Sequence, residues 1–131
     1  MKLSDLPVKY VRVGFVRYEF RKFSKVHPFR DDYKGVCDKA ARVIWINFGL
    51  LAKPEDLGNV LLHEIRHAIF DFAGLDGSAS EEEIIDLTTN IECQVIQDNA
   101  DLYLWIINEC LLPGQIGESK DDESESEDES E

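Results

Sequence analysis

The sequence predicts an α+β fold, in which a small N-terminal antiparallel sheet packs on one central helix and on one or two further helices. Two patterns predict it: apolar residues alternate through the first third of the chain, and apolar residues recur at helical spacing afterwards. With 131 residues, 44% of them hydrophobic, the chain has the size and core of one domain. We place this domain at residues 1–115, followed by a disordered acidic tail of Ser, Glu and Asp at 116–131.

The predicted sheet lies within the first 47 residues. Val8–Phe23 alternates as a strand does, and its apolar phase shifts at Gly14, which indicates a bulge or a bend between two strands. After a loop at Ser24–Asp32, we expect a hairpin of Tyr33–Cys37 and Arg42–Asn47. The last of these is β-branched and aromatic, which makes it the strongest strand prediction in the chain.

A long helix is predicted directly after the hairpin. Pro54 and the acidic residues that follow it favour a helix start, and Gly74 favours its end. Residues at helical spacing form the expected core stripe of this helix: Leu57, Leu61, Ile65, Ala68 and Phe72.

Two further helices complete the predicted domain. Ser80 is a suitable cap for the first, which runs to about Asp98. After a break at Asn99-Ala100, Asp101 is the expected cap of a last helix that ends at Leu112. Apolar residues at helical spacing form the expected buried row of the first of these helices: Ile84, Leu87, Ile91 and Val95.

The composition of the chain indicates its cellular compartment and excludes some classes of partner. No apolar run approaches the roughly 18–20 residues of a membrane span, and no signal peptide is recognisable, so we expect no membrane partner. Three Cys residues without a C-x-x-C pair favour a reducing cytoplasm over a disulfide framework. The net charge is −13, although residues 1–43 carry 11 Lys and Arg against five acids, and we expect no nucleic-acid partner.

A candidate metal-binding motif, His63-Glu64-Ile65-Arg66-His67, lies on the predicted long helix. Two histidines four residues apart share one side of a helix, where both imidazoles can reach one zinc ion. The intervening Glu64 is placed to take a proton from a metal-bound water. A positive charge at Arg66 weakens metal binding unless it points away or pairs with an acid.

A third zinc ligand is expected from the next helix, because catalytic zinc has three protein ligands and an open position. The acidic residues available there are Glu81, Glu82, Glu83, Asp86, Glu92 and Asp98. On the helical wheel, Glu81 and Glu92 fall nearest the apolar face and Glu82 falls at its edge. Because Glu82 has a second carboxylate one turn further on, we favour Glu81 and Glu82 equally, with Glu92 behind them. Asp86, one turn after Glu82, and Asp71, one turn after His67, are candidates for orienting a ligand histidine.

Three segments in this order carry a family resemblance: Gly35–Asn47, Leu61–Ile69, and a helix opening with Ser80-Glu81-Glu82-Glu83. Across about residues 33–108, the chain resembles the small phage-encoded zincin-like metallopeptidases, relatives of the ImmA/IrrE-type peptidase domains. The resemblance implies a host-cytoplasmic protein with zinc bound by His63, His67 and one glutamate of the 81–82 pair, and with Glu64 as general base. The sequence departs from the family pattern at Arg66 and in its acidic tail.

The predicted function is therefore zinc-dependent hydrolysis of a peptide bond in an unidentified peptide or protein substrate. Zinc activates water, Glu64 takes its proton, and strand Val43–Asn47 pairs with the extended substrate. The alternative is an inactive zincin-like module, in which zinc is structural and a charged surface or the tail binds a partner.

Overall fold

The computed structural model describes residues 1–75 and 77–112 and confirms the α+β class. Four strands form one sheet: β1 (Tyr10–Val13), β2 (Val16–Lys22), β3 (Gly35–Asp38) and β4 (Val43–Ile46). Their order across the sheet is β1-β2-β4-β3. The predicted acidic tail and residues 113–115 of the predicted domain lie outside the described residues.

The sheet is mixed, which corrects the expectation of an antiparallel one. β1 and β2 are antiparallel, as are β3 and β4, but β2 and β4 run parallel. The chain reaches the far edge of the sheet as β3 and then returns through the hairpin, so that β4 is inserted between β2 and β3. At the tight turn between β1 and β2, Gly14 has a φ of 66°, a left-handed conformation that suits glycine and fits the predicted bend.

Three helices follow the sheet: α1 (Pro54–Ala73), α2 (Glu81–Asp98) and α3 (Ala100–Trp105), which continues as a π-helix over Ile106–Leu111. The predicted helix start at Pro54 is confirmed, and Gly74 ends α1 in the left-handed conformation. The Ser80 hydroxyl accepts a hydrogen bond from the Glu83 N–H, which confirms the predicted cap. None of the described helices is both long and apolar enough to cross a membrane.

The third helix begins two residues earlier than expected, because Asn99 and not Asp101 occupies its N-cap position. The Asn99 side chain is held by bonds to the backbone of β1 and of α2. Asp101 therefore lies within the first turn of α3, where an acidic residue still suits the helix dipole.

The core lies between one face of the sheet and α1. The predicted stripe of α1 is buried at Leu57, Leu61, Ile65 and Ala68. Phe72 is 36% exposed, because its ring lies over Gly14 and contacts Phe15 edge-on at the rim of the sheet. The predicted buried row of α2 is only partly buried. Val95 is fully buried and Ile91 packs against the core, but Leu87 is 44% exposed. Burial in α2 is thus greatest near its C-terminal end.

Candidate functional site

The site is built on the middle of α1, where His63 and His67 lie on the solvent-facing edge and Glu64 is buried. His63 and His67 are both exposed, and their ring centroids lie 4.9 Å apart with the planes at 74°. The spacing of one helical turn brings the rings together, as the sequence predicts. Two imidazoles at this separation fit two of the positions around one zinc ion.

Glu64 is the buried charged residue of the described chain, with only 6% of its surface exposed. Its carboxylate faces β3, because a Cβ added to Gly35 would lie 3.2 Å from Glu64 Oε2. Burial raises the pKa of Glu64, while the charge of His63 and a hydrogen bond from the Cys37 backbone act to lower it. The site therefore combines a desolvated carboxylate with two accessible imidazoles, which is the arrangement a general base beside a metal requires.

β3 forms the open edge of the sheet beside these residues. Asn47 donates its backbone N–H to the Lys34 carbonyl over 2.9 Å. Because backbone groups alternate in direction along an antiparallel ladder, Gly35 and Cys37 direct theirs away from β4 and towards α1. The expectation that Val43–Asn47 pairs with a substrate is wrong, since β4 has a strand on each side. The strand available for pairing is β3.

The opposite edge of the sheet is closed by a side chain. The backbone N–H of Arg12 in β1 donates to Asn99 Oδ1 over 3.0 Å, and Asn99 Nδ2 donates to the Arg12 carbonyl over 2.8 Å. The amide of Asn99 thus occupies the place of a neighbouring strand at this point. Covering an edge in this way blocks pairing with another chain. At the β3 edge, the Cys37 backbone is bonded to the Glu64 side chain, and Gly35 is the other β3 residue whose backbone groups face away from β4.

Two cavities flank His63, which lines both. The smaller, of about 380 Å³, lies between residues 32–35 and α1, and includes Gly35 and Glu64 in its wall. The larger, of about 670 Å³, lies between the β3–β4 turn, α1 and α2, and includes Lys39 and His67. The smaller cavity thus reaches β3 at Gly35, and the larger one reaches the β3–β4 turn at Lys39. A cavity of about 700 Å³ beside the N-terminal turn and β2 is remote from both histidines.

The candidate third ligands lie at the start of α2. Glu81 and Glu82 are exposed in its first turn, and the α2 residues that line the cavity with the histidines are Ile84, Ile85 and Thr88. Within residues 1–75 and 77–112, no three His, Cys, Asp or Glu side chains are grouped so that they could hold a metal ion. The described residues thus bring two candidate zinc ligands together, His63 and His67, and do not bring a third ligand to them.

The remaining candidates have other neighbours. Arg66 pairs with Glu92 at 3.4 Å, which offsets the positive charge beside the histidines and engages Glu92 elsewhere. Asp71 is close enough to Cys37 to raise the pKa of that thiol, after the larger effects of burial and of Glu64. Asp86 is exposed on α2.

Two residues of the site were not anticipated from the sequence. Lys39, in the β3–β4 turn, lines the larger cavity, and its charge contributes, after burial and His63, to lowering the pKa of His67. Gly35 provides the space that the Glu64 carboxylate occupies. A glycine inside a predicted strand is a signal of close approach and could have pointed to Gly35. Lys39 carries no such signal, because its role depends on packing between three elements.

A scan against protein-family models found no match to this chain, and comparisons with curated proteins and with solved structures found none.

Proposed function

We propose that this protein is a zinc-dependent metallopeptidase-like hydrolase that acts on an extended peptide. The observation that carries the proposal is the buried carboxylate of Glu64, set between an exposed histidine pair and the open edge of β3. Burying a carboxylate costs free energy, which His63 and the Cys37 backbone offset only in part because the pKa of Glu64 stays raised, so its presence here favours a chemical role over a structural one.

His63 and His67 would hold the zinc ion, with a glutamate from the start of α2 as the third ligand. We favour Glu81 over Glu82, because Glu81 lies one turn before Ile84 and Ile85, on the face of α2 that lines the cavity. When bound, zinc supplies Lewis acidity, which lowers the pKa of a bound water and polarises a carbonyl. The pairing of Arg66 with Glu92 limits repulsion between the guanidinium and the metal.

Glu64 takes the proton of the attacking water and passes it to the leaving amine. Its raised pKa suits both steps, because a carboxylate that binds a proton more readily is a better general base near neutral pH. Of the backbone groups that face away from β4, those of Gly35 and the carbonyl of Cys37 offer pairing positions to an extended substrate, while the Cys37 N–H is bonded to Glu64. This is the role that the resemblance to zincin-like peptidases implies, and it rests here on the geometry of α1 and β3.

The test compares the wild-type chain with Glu64→Gln and with the control Glu55→Gln, an exposed residue in the first turn of α1. Each protein is assayed for zinc content, for folding by circular dichroism, and for cleavage of a broad peptide library. We expect all three to bind zinc, and Glu64→Gln to lose roughly 10²–10⁴-fold in cleavage rate.

If the wild type and Glu55→Gln bind zinc and cleave nothing in the library, the peptidase proposal fails. The protein would then fit the alternative, a partner-binding module with structural zinc.

A further inference from the structure

The larger cavity beside the histidines combines an apolar wall with a positively charged rim. Ile69 and Phe70 of α1 face Ile84 and Ile85 of α2 across it. Its volume of about 670 Å³ lies within the usual range of ligand sites, so it has room for a large apolar side chain. Phe70 and Ile85 remain 38% and 49% exposed, so apolar surface stays in contact with water at the mouth of the cavity.

Lys39 is the basic residue at the rim of this cavity that could bind an acidic group of a ligand. Of the two basic residues that line the cavity, Arg66 is paired with Glu92. Lys39 makes no salt bridge with any of the described residues. The charge of Lys39 is therefore free to bind a carboxylate that arrives with a ligand. No acidic residue is among those that line the cavity, so a carboxylate of the ligand would meet no like charge in its wall.

Lys39 is also the residue that comes directly after the edge strand in the chain, since β3 ends at Asp38. A peptide paired along β3 advances about 3.3 Å per residue, so one that covers Gly35–Asp38 places its next residues at Lys39. Side chains of such a peptide alternate between two faces, so residues two positions apart lie on the same face. The strand, the cavity and the cation are thus contiguous.

We propose that this cavity receives a large apolar side chain of a bound peptide, and that Lys39 selects peptides with an acidic residue within two positions of it. The ligand class is an extended peptide that pairs Leu, Ile or Phe with a nearby Glu or Asp. This inference rests on the proposed function for the presence of a peptide at β3, and adds to it the residue that determines sequence preference.

Binding is measured with the full chain carrying Glu64→Gln, so that peptides are not consumed. Fluorescently labelled peptides of one length differ at two positions and contain Leu-Glu, Leu-Gln, Leu-Lys or Ala-Glu, and dissociation constants come from fluorescence anisotropy. An exposed ion pair contributes up to about 1 kcal/mol, so we expect Leu-Glu to bind roughly fivefold more tightly than Leu-Gln. The Ala-Glu peptide should bind at least about tenfold more weakly than Leu-Glu.

The variants then assign the preference to Lys39. Lys39→Met should abolish the preference for Glu over Gln, and Lys39→Glu should reverse the order of the Glu and Lys peptides. Lys25→Met, which removes an exposed lysine from the loop after β2, should leave every constant unchanged. A preference that persists in Lys39→Met overturns the role of Lys39, and equal binding of Leu-Glu and Ala-Glu overturns the role of the cavity.

The result is separable from the proposed function. Selective binding without cleavage by the chain with intact Glu64 would support the inference and contradict the peptidase. Cleavage that is indifferent to the Leu and Glu positions would support the peptidase and overturn the inference.

Discussion

Replacing Gly35 with alanine should displace the Glu64 carboxylate while leaving both histidines in place. An added Cβ would lie 2.8 Å from Val60 Cγ1, 3.2 Å from Glu64 Oε2 and 3.2 Å from the Trp45 carbonyl oxygen. The carbonyl belongs to the sheet and the Val60 methyl to the α1 interface. Of these three neighbours, the Glu64 carboxylate has the most freedom to move.

The size of the effect follows from these contacts. Overpacking of this kind typically costs about 1–3 kcal/mol, which for a domain of this size lowers the melting temperature by roughly 4 °C or more. At 3.2 Å the Glu64 carboxylate must move by a few tenths of an ångström, so the loss in cleavage rate should be smaller than the roughly 10²-fold that a 1 Å misplacement can cost. Zinc content should not change, because neither histidine is among the atoms nearest the new methyl group.

Gly49→Ala is the matched control, because the nearest atom to its added Cβ is Asn47 Oδ1 at 3.6 Å, an ordinary contact. Thermal unfolding, zinc content and peptide cleavage are measured for the wild type and both variants. We expect Gly35→Ala to lose stability and cleavage and Gly49→Ala to keep both. If the two variants unfold and cleave alike, the placement of Glu64 against Gly35 is refuted.

Four further predictions concern the rest of the fold. Asn99→Ala removes both bonds to the Arg12 backbone, and should lower the free energy of unfolding in urea by about 1–3 kcal/mol and increase self-association through the β1 edge. Ser80→Ala removes the cap of α2 and should cost about 1 kcal/mol, measured by thermal unfolding. Iodoacetamide at pH 8 should modify the exposed Cys93 before Cys37, because burial raises the pKa of Cys37 to about 12. Since that folded-state pKa lies above the ordinary 9.0, the contribution of Cys37 to stability should decrease as the pH rises from about 9 towards 12, as urea titrations would show.

Local sequence signals were enough to predict where α1 begins and ends and where α2 begins. Pro54, Ser80 and Gly74 act on their immediate neighbours, so their positions define where α1 and α2 begin and where α1 ends. The cap at Asn99 was missed because its side chain is held partly by β1, far away in the sequence. The continuation of α3 as a π-helix likewise has no local signal that we recognise.

Pairing between distant strands was beyond the sequence pattern. Alternation identified the strands but not the parallel pairing of β2 with β4, which depends on the route of the chain across the sheet. That route decides which strand is at the edge, so the predicted substrate-pairing strand was β4 and the open one is β3. The correct strand order matters for function, because it assigns the proposed substrate to β3 instead of β4.

The candidate site was predicted in part for the same reason. Helical spacing alone brings His63 and His67 together, and the structure places them so. The burial of Glu64 depends on Gly35, and the cavity rim depends on Lys39, and both lie on other elements. The identity of the third ligand stays a prediction, with Glu81 favoured by its position on α2.

Zinc stoichiometry tests the central claim most directly. The purified full-length chain is dialysed against trace zinc, and bound metal is measured by mass spectrometry for the wild type, His63→Ala and His67→Ala. The claim predicts one zinc per chain in the wild type and a loss of bound zinc in each variant that keeps the helical circular dichroism signal. Equal metal content in the wild type and both folded variants would contradict it.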